Sequence, residues 1–129
     1  MPKKVIEVTG APKPVGPYSP AIRVGDFVYL SGQGAADPSS GKFVTGDIKA
    51  QTKRTLENIQ IVLRAASLSM EDVFKVSVFL KNASDFQAMN EVYKTFFPTS
   101  PPTRSTVITG LLFPEMLIEI EVAAYAKKD

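Results

Sequence analysis

The chain of 129 residues contains no cysteine, no histidine and no tryptophan. The lack of cysteine excludes disulfides, thiolate nucleophiles, iron–sulfur clusters and cysteine-ligated zinc. The lack of histidine removes the side chain that most often performs acid–base chemistry near neutral pH and most often binds metals. Any catalysis must therefore use carboxylate, arginine, lysine, tyrosine, hydroxyl or backbone groups with water, and we predict no metal site.

Excess charge and long apolar runs are also absent. Fifteen Lys and Arg against 13 Asp and Glu leave a net charge of +2, which is too little for the basic surface of a dedicated nucleic-acid binder. No apolar run reaches transmembrane length, and the N-terminal residues do not lead into the apolar core of a secretory signal. We expect a cytoplasmic protein without membrane or nucleic-acid partners, folded as one domain over residues 1–129.

Hydrophobic periodicity and turn residues predict five segments of strand or hairpin and two helices. The strands are predicted over residues 3–8, 73–81, 103–109 and 117–126 and in a hairpin over 21–32, and the helices from 47 to about 68 and from about 84 to 97. Asp47 is a plausible N-cap of the first helix, and Ser84 with Gln87 has the spacing of a capping box in the second. Over 73–81, alternation assigns Phe74, Val76, Val78 and Leu80 to one apolar face.

This order of elements predicts an α+β fold in which two helices cover one face of a mixed sheet. In the last strand, Ile118, Ile120 and Val122 point to the helices, whereas Glu119 and Glu121 point to the opposite face. The chain has no third helix to cover that face. We therefore predict a homo-oligomer in which a partner subunit covers it.

Arg104 and the two glutamates are the first candidates for chemistry. Arg104 follows two prolines and opens a strand, so its planar guanidinium could bind a carboxylate through two hydrogen bonds. The alternative is an edge-strand arginine paired with a surface acid. Glu119 and Glu121 need partners on a face that becomes an interface, as intersubunit ion pairs or as a carboxylate that positions or deprotonates water.

The weaker candidates are Tyr18, Ser31, Gly32 and Asn90. Each also has an ordinary explanation, as a packed tyrosine between prolines, a turn at a strand end, or a boundary residue of the second helix. The segment Gly32-Gln33-Gly34 lacks the further residues of a phosphate-binding loop. The acids in loops and caps lack the spacing of a calcium loop.

Six separated blocks of sequence resemble those of one known family. They are GPYSPA at 16–21, YLSGQ at 29–33, DPSSGK at 37–42, NEVYKTFF at 90–97, PTRSTV at 102–107 and IEIEVAAYA at 118–126. Through them the chain resembles, over nearly its whole length, the RidA (YjgF/YER057c/UK114) family of reactive-intermediate deaminases. The resemblance implies a chorismate-mutase-like α+β fold and a homotrimer with sites between adjacent subunits. The implied reaction is hydrolysis of 2-imino acids, such as 2-iminobutanoate and 2-iminopropanoate, to 2-oxo acids and ammonia without a cofactor.

The resemblance also assigns roles to individual residues. Arg104 would bind the substrate carboxylate and Glu119 would hold the attacking water. The pocket would be lined by Tyr18, Ser31, Gly32, Asn90 and Thr106. Many relatives carry a cysteine at the position of Thr106, so thiol chemistry is not carried over.

Two other functions remain open from the sequence. A regulatory protein could bind small carboxylates at Arg104 without turnover, and only Glu119 separates this hypothesis from the deaminase. The other function, RNA binding with inhibition of translation or RNA cleavage, is disfavoured by the lack of histidine and the near-neutral charge.

Overall fold

The structure is a computed structural model that describes residues 2–126. Its strands are β1 (Lys4–Val5), β2 (Ala21–Val24), β3 (Phe27–Leu30), β4 (Val73–Leu80), β5 (Thr103–Ile108) and β6 (Ile118–Tyr125), and its helices are α1 (Ile48–Ala65) and α2 (Phe86–Phe96). The strands form one sheet in the order β1-β2-β3-β6-β4-β5. Strands β4 and β5 are parallel and the other pairs are antiparallel. The prediction of an α+β fold with a mixed sheet is confirmed.

Helix α1 forms where the sequence predicts it but ends earlier. The Asp47 carboxylate accepts a hydrogen bond from the backbone N–H of Ala50 at 3.1 Å and so caps the helix. The predicted apolar stripe packs into the core, with Leu56 and Ile59 fully buried. The helix ends at Ala65 because Ser67 adopts a positive φ of 63° that cannot continue a right-handed helix.

The predicted capping box of the second helix is wrong. Residues Ala83–Asp85 form a short 3-10 turn, and α2 begins only at Phe86, with no side-chain hydrogen bond from Asp85 at its N-cap. Because Ser84 lies inside that tighter turn, it does not occupy the N-cap position that a capping box requires. The apolar residues Met89, Tyr93 and Phe97 of this segment are nevertheless buried, as its helical hydrophobic periodicity predicts.

The assignment of Phe74 to the same face as Val76, Val78 and Leu80 is also wrong. Val73 pairs with Ala124 whereas Lys75 pairs with Ala123, so β4 carries one extra residue and forms a β-bulge. The bulge lets Val73 enter the core and leaves Phe74 exposed on the other face. There the Phe74 ring lies edge-on to Phe27, with ring centroids 5.9 Å apart.

At the N-terminus, β1 is shorter than the predicted strand over 3–8. Only Lys4 and Val5 pair with β2, and the buried Ile6 then donates one further backbone hydrogen bond to Ala21 at 3.0 Å. The hairpin of β2 and β3 is as predicted, since Val28 and Leu30 are buried and Phe27 and Tyr29 are exposed.

The two faces of the sheet differ in their cover. The helices and one face form a single core cluster that includes Val76, Val78, Ile118 and Ile120. The opposite face, which we call the open face, exposes an aromatic cluster of Phe27, Tyr29, Phe74 and Tyr125. Within residues 2–126, neither helix combines the length and apolarity needed to span a bilayer.

Candidate functional site

Arg104 and Glu119 lie on opposite faces of the sheet. Arg104 of β5 pairs with Val76 of β4, which points to the helices, whereas Glu119 of β6 pairs with Phe79 of β4, which points to the open face. Residues paired across strands share a face, and side chains alternate along a strand. From strand spacings the two Cα atoms are about 14 Å apart. One copy of the chain therefore does not bring these two side chains together.

Arg104 lies against aromatic rings of α2. Its guanidinium carbon lies 4.7 Å from the ring centroid of Tyr93 and 5.6 Å from that of Phe86. Within residues 2–126 the ion pairs are Arg23–Asp26, Lys49–Glu91 and Arg54–Glu57, so Arg104 has no acidic partner there. The predicted alternative, an ion pair between Arg104 and a surface acid, is therefore not formed within this part of the chain.

Asn90 and Thr106 lie on the elements that flank Arg104. Asn90 is half-buried on the α2 face that also carries Phe86 and Tyr93, because these positions are four and seven residues apart. Thr106 follows Arg104 at i+2 on β5 and pairs with Val78, so both point to the helix-covered side of the sheet. We call Arg104, Thr106 and Asn90 the Arg104 cluster.

Glu119 lies in a second group of residues on the open face. It is half-buried and lines a cavity of about 250 Å³ together with Phe79, Thr109 and residues 110–112. Burial raises the pKa of the Glu119 carboxyl above its ordinary value, and the like charge of Glu121 raises it further. Glu119 is also outside the three ion pairs formed within residues 2–126. The Glu119 carboxylate therefore holds a proton more tightly than an ordinary glutamate does.

Gly32 lies beside the Glu119 carboxylate. A Cβ at Gly32 would lie 2.9 Å from Cδ of Glu119, and the next residue, Gln33, exchanges two backbone hydrogen bonds with Ile120, at 2.8 and 3.0 Å. The Ser31 hydroxyl donates to the carbonyl of Ser19 at 2.7 Å and connects the proline-rich loop to this strand end. Tyr18, in that loop, is exposed, and its hydroxyl accepts a hydrogen bond from the N–H of Val15 at 3.2 Å. Chain adjacency and the bond between Ser31 and Ser19 link Tyr18, Ser31 and Gly32, and we call these three residues with Glu119 the Glu119 cluster.

Buried polar side chains of α1 hold the segments that carry the Glu119 cluster. The Gln51 amide accepts from the N–H of Leu117 and donates to the carbonyl of Glu115, both at 2.8 Å. The Asn58 amide donates to the carbonyls of Gly34 and Ala36, at 3.0 and 2.8 Å. Because these bonds are buried, they hold the entry to β6 and the chain after Gly32 in register.

Several residues at the two clusters were not among the predicted site residues. Tyr93 and Phe86 contact Arg104, and Phe79 and Leu112 line the cavity at Glu119. The sequence contains an indication for Phe79, because this aromatic residue lies between Ser77 and Lys81 on the otherwise polar face of its strand. The contact of Tyr93 with Arg104 depends on how α2 lies over β5, and the sequence pattern does not encode it. A larger cavity of about 430 Å³, between α1 and the end of α2, contains none of the predicted site residues.

We expect Gly32→Ala to damage the Glu119 cluster without unfolding the protein. A Cβ at Gly32 would lie 2.9 Å from Cδ of Glu119 and would overlap its Oε2 atom. The carboxylate must then move, which we expect to lower turnover of the imino acids that the resemblance implies as substrates by about 100-fold, since catalytic groups need positions accurate to within about 1 Å. The measurement is that turnover beside a thermal unfolding curve. Gly10→Ala is the control for lost stability, because a Cβ at Gly10 meets no atom within 4 Å but its φ of +83° is strained for alanine. Equal activity in the two variants would contradict the prediction.

The fold and the two clusters define a small α+β protein with a carboxylate on one face of its sheet and an unpaired arginine on the other. The family model described as Endoribonuclease L-PSP matches residues 8–126. A RutC family protein of Pyrococcus abyssi is 50% identical over 125 residues, 97% of this chain and 98% of that protein. The chain therefore belongs to the Endoribonuclease L-PSP family. This is the RidA (YjgF/YER057c/UK114) family that its sequence blocks resemble.

Two further relatives carry more specific names. A protein of Dermatophagoides farinae named 2-iminobutanoate/2-iminopropanoate deaminase is 42% identical over 120 residues, which cover 93% of this chain and 94% of that protein. The crystal structure of E. coli TdcF with bound serine is 37% identical, with a TM-score of 0.90, and the match covers 96% of this chain and 99% of that one.

Proposed function

We propose that this protein hydrolyses 2-imino acids, such as 2-iminobutanoate and 2-iminopropanoate, to 2-oxo acids and ammonia. The observation that carries the proposal is a pair of charged side chains that form no ion pair within residues 2–126, Arg104 over its aromatic rings and Glu119 in its cavity. An imino acid offers a carboxylate that Arg104 can bind. It also offers an electrophilic carbon that a water held by Glu119 can attack. The Dermatophagoides farinae relative is named for two small imino acids, and TdcF has serine bound. Both agree with a small carboxylate ligand.

Arg104 would bind and orient the substrate carboxylate through two parallel N–H donors. Water attacks C2 of the protonated imine while the Glu119 carboxylate accepts one of its protons, and a C–O bond forms. Glu119 then returns the proton to nitrogen, and the C–N bond breaks with its electron pair leaving on ammonia. The hydroxyl proton passes to that ammonia, which leaves the 2-oxo acid. An iminium carbon is already electrophilic, so orientation and one proton carrier suffice and histidine is not required.

The opposite directions of Arg104 and Glu119 mean that one substrate can contact both only between two copies of the chain. The aromatic cluster on the open face is a surface that a second copy could cover. We propose a homotrimer with the sites between adjacent subunits, as the resemblance implies, and a cytoplasmic location, which the cysteine-free sequence supports. Tyr18, Ser31, Gly32, Asn90 and Thr106 would then line the pocket from two subunits.

We expect a particle of about three times 14.0 kDa in solution. A monomer would leave the open face and the Glu119 carboxylate in water, at a cost in unburied apolar surface. Multi-angle light scattering at micromolar concentration is the measurement, and Phe74→Glu should shift the mass downwards, because it places a charge in the aromatic cluster. A monomeric mass for the unaltered protein would contradict both the assembly and the intersubunit position of the site.

The function itself is tested by a coupled turnover assay. An amino-acid oxidase generates 2-iminobutanoate in situ, semicarbazide competes for the imine, and the release of 2-oxobutanoate is followed. We expect the protein to suppress semicarbazone formation in proportion to its concentration. A protein that binds 2-oxobutanoate but never changes the semicarbazone yield would be a carboxylate-binding protein, and the deaminase proposal would be rejected.

A further inference from the structure

We propose that Tyr93, together with Phe86, is a positioning residue that holds the Arg104 guanidinium in place against α2. The inference rests on the proposed role of Arg104 in binding the substrate carboxylate and deepens it. Tyr93 and Phe86 would not touch the reacting atoms. They would act only through Arg104.

The two rings come from one face of α2, because residues seven apart lie nearly above one another along a helix. The Arg104 guanidinium carbon lies 4.7 Å from the Tyr93 centroid and 5.6 Å from the Phe86 centroid, within the range of cation–π contacts. Such a contact holds the cation over the ring faces. The guanidinium has five N–H donors, and two that are not directed at α2 can be accepted side by side by a carboxylate.

The Tyr93 ring is itself firmly held. Tyr93 is only 7% exposed, and its ring centroid lies 4.8 Å from that of Phe97. A rigid ring restricts the rotation of the guanidinium above it, so less conformational entropy is lost when a carboxylate binds. Phe86 is 38% exposed and forms the outer, looser part of this support.

The Tyr93 hydroxyl also lies close to Arg104. Its oxygen is buried and forms no well-aligned hydrogen bond within residues 2–126. Burial raises the pKa of this hydroxyl, and the charge of Arg104 together with the close approach of its guanidinium N–H groups opposes that rise. Both the ring and the hydroxyl of Tyr93 therefore lie near Arg104, and comparing Tyr93→Phe with Tyr93→Leu separates their contributions.

The test measures the binding of 2-oxobutanoate, a stable carboxylate, by isothermal titration calorimetry. We expect Tyr93→Leu to raise Kd about tenfold, because leucine fills the space but offers no π face. Tyr93→Phe keeps the ring and should restore affinity to within about twofold. Phe97→Leu is the comparison variant, since Phe97 is buried in the same cluster and contacts the Tyr93 ring but is not over Arg104. It should lower the melting temperature and raise Kd by no more than about twofold, because leucine still packs against the Tyr93 ring.

A double-mutant cycle with Arg104→Lys completes the test. If Tyr93 acts through Arg104, the tenfold effect of Tyr93→Leu should largely disappear once Arg104 is lysine. Wild-type Kd in Tyr93→Leu, or equal weakening in Tyr93→Leu and Phe97→Leu, would overturn the inference and leave the proposed function standing. Unchanged Kd in Arg104→Lys alone would instead overturn the carboxylate-binding role. If Tyr93→Leu does not fold, Phe86→Leu replaces it, with an expected threefold rise in Kd and with wild-type Kd overturning the inference.

Discussion

Replacing Arg104 with lysine should lower kcat/KM for 2-iminobutanoate by about 100-fold while the assembly stays intact. Lysine keeps the positive charge but cannot offer two coplanar donors to a carboxylate, and a lost charged hydrogen bond costs about 1.5–3 kcal/mol. The compact ammonium would also lose the broad contact of the guanidinium with Tyr93. The measurement is the coupled assay over a range of imine concentrations, with the mass of the variant checked by light scattering.

The control for this experiment is Arg64→Lys. Arg64 is exposed in the last turn of α1 and is in none of the ion pairs within residues 2–126. Arg64→Lys should leave kcat/KM within about twofold of that of the unaltered protein, because surface substitutions usually have small effects. If Arg104→Lys retained full activity, Arg104 would have no place in the mechanism.

Glu119→Gln should lower kcat by about 10²–10⁴-fold with little change in the affinity for 2-oxobutanoate. Glutamine keeps the size and hydrogen-bonding capacity of the side chain but cannot accept the proton of the attacking water. The loss should therefore fall on the chemical step and leave carboxylate binding at Arg104 unaffected. Single-turnover kinetics beside calorimetric titration separate the two quantities.

The pH profile gives a second readout of Glu119. The proposed base must be deprotonated, and burial with the like charge of Glu121 raises its pKa above the ordinary glutamate value. kcat/KM should therefore fall as pH decreases through that raised pKa, at a higher pH than an unperturbed glutamate would give. Residual activity in Glu119→Gln should lack this acidic limb. An unchanged limb in the variant would assign the titration to another group.

Glu121→Gln is the matched control, because Glu121 lies two residues away on the same open face and is more exposed. It should keep turnover near the unaltered value and, if Glu121 forms an intersubunit ion pair, weaken the assembly. Normal turnover in Glu119→Gln together with an inactive Glu121→Gln would mean that the roles are assigned to the wrong glutamate.

Mixing the two impaired variants tests whether one site uses both faces. When Arg104→Lys and Glu119→Gln subunits are unfolded, mixed and refolded together, some interfaces combine an intact Arg104 with an intact Glu119 from different copies. We expect the activity of the mixture to rise well above the residual activity of either variant refolded alone. No recovery in mixed oligomers verified by native mass spectrometry would contradict a site built from two subunits.

The faces of the individual strands were predictable from the sequence because alternation along a strand is a local property of the backbone. Val28 and Leu30 are buried opposite the exposed Phe27 and Tyr29, and Ile118 and Ile120 are buried opposite Glu119. The same reasoning failed at Phe74, because the alternation assumes a regular ladder. The bulge depends on how β4 pairs with β6, more than 40 residues further along the chain.

The sequence by itself thus determined the α+β class, both helices, the uncovered sheet face and the residue types available for chemistry. Through six blocks that resemble one known family it also indicated the family, which the comparison with known proteins then confirmed. These features depend on local periodicity, composition and motif spacing. Only the tertiary structure placed Arg104 and Glu119 on opposite faces, because that relation depends on the register of both strands with β4. Only the tertiary structure set Tyr93 beneath Arg104, since no local pattern determines where a helix comes to lie over a neighbouring strand.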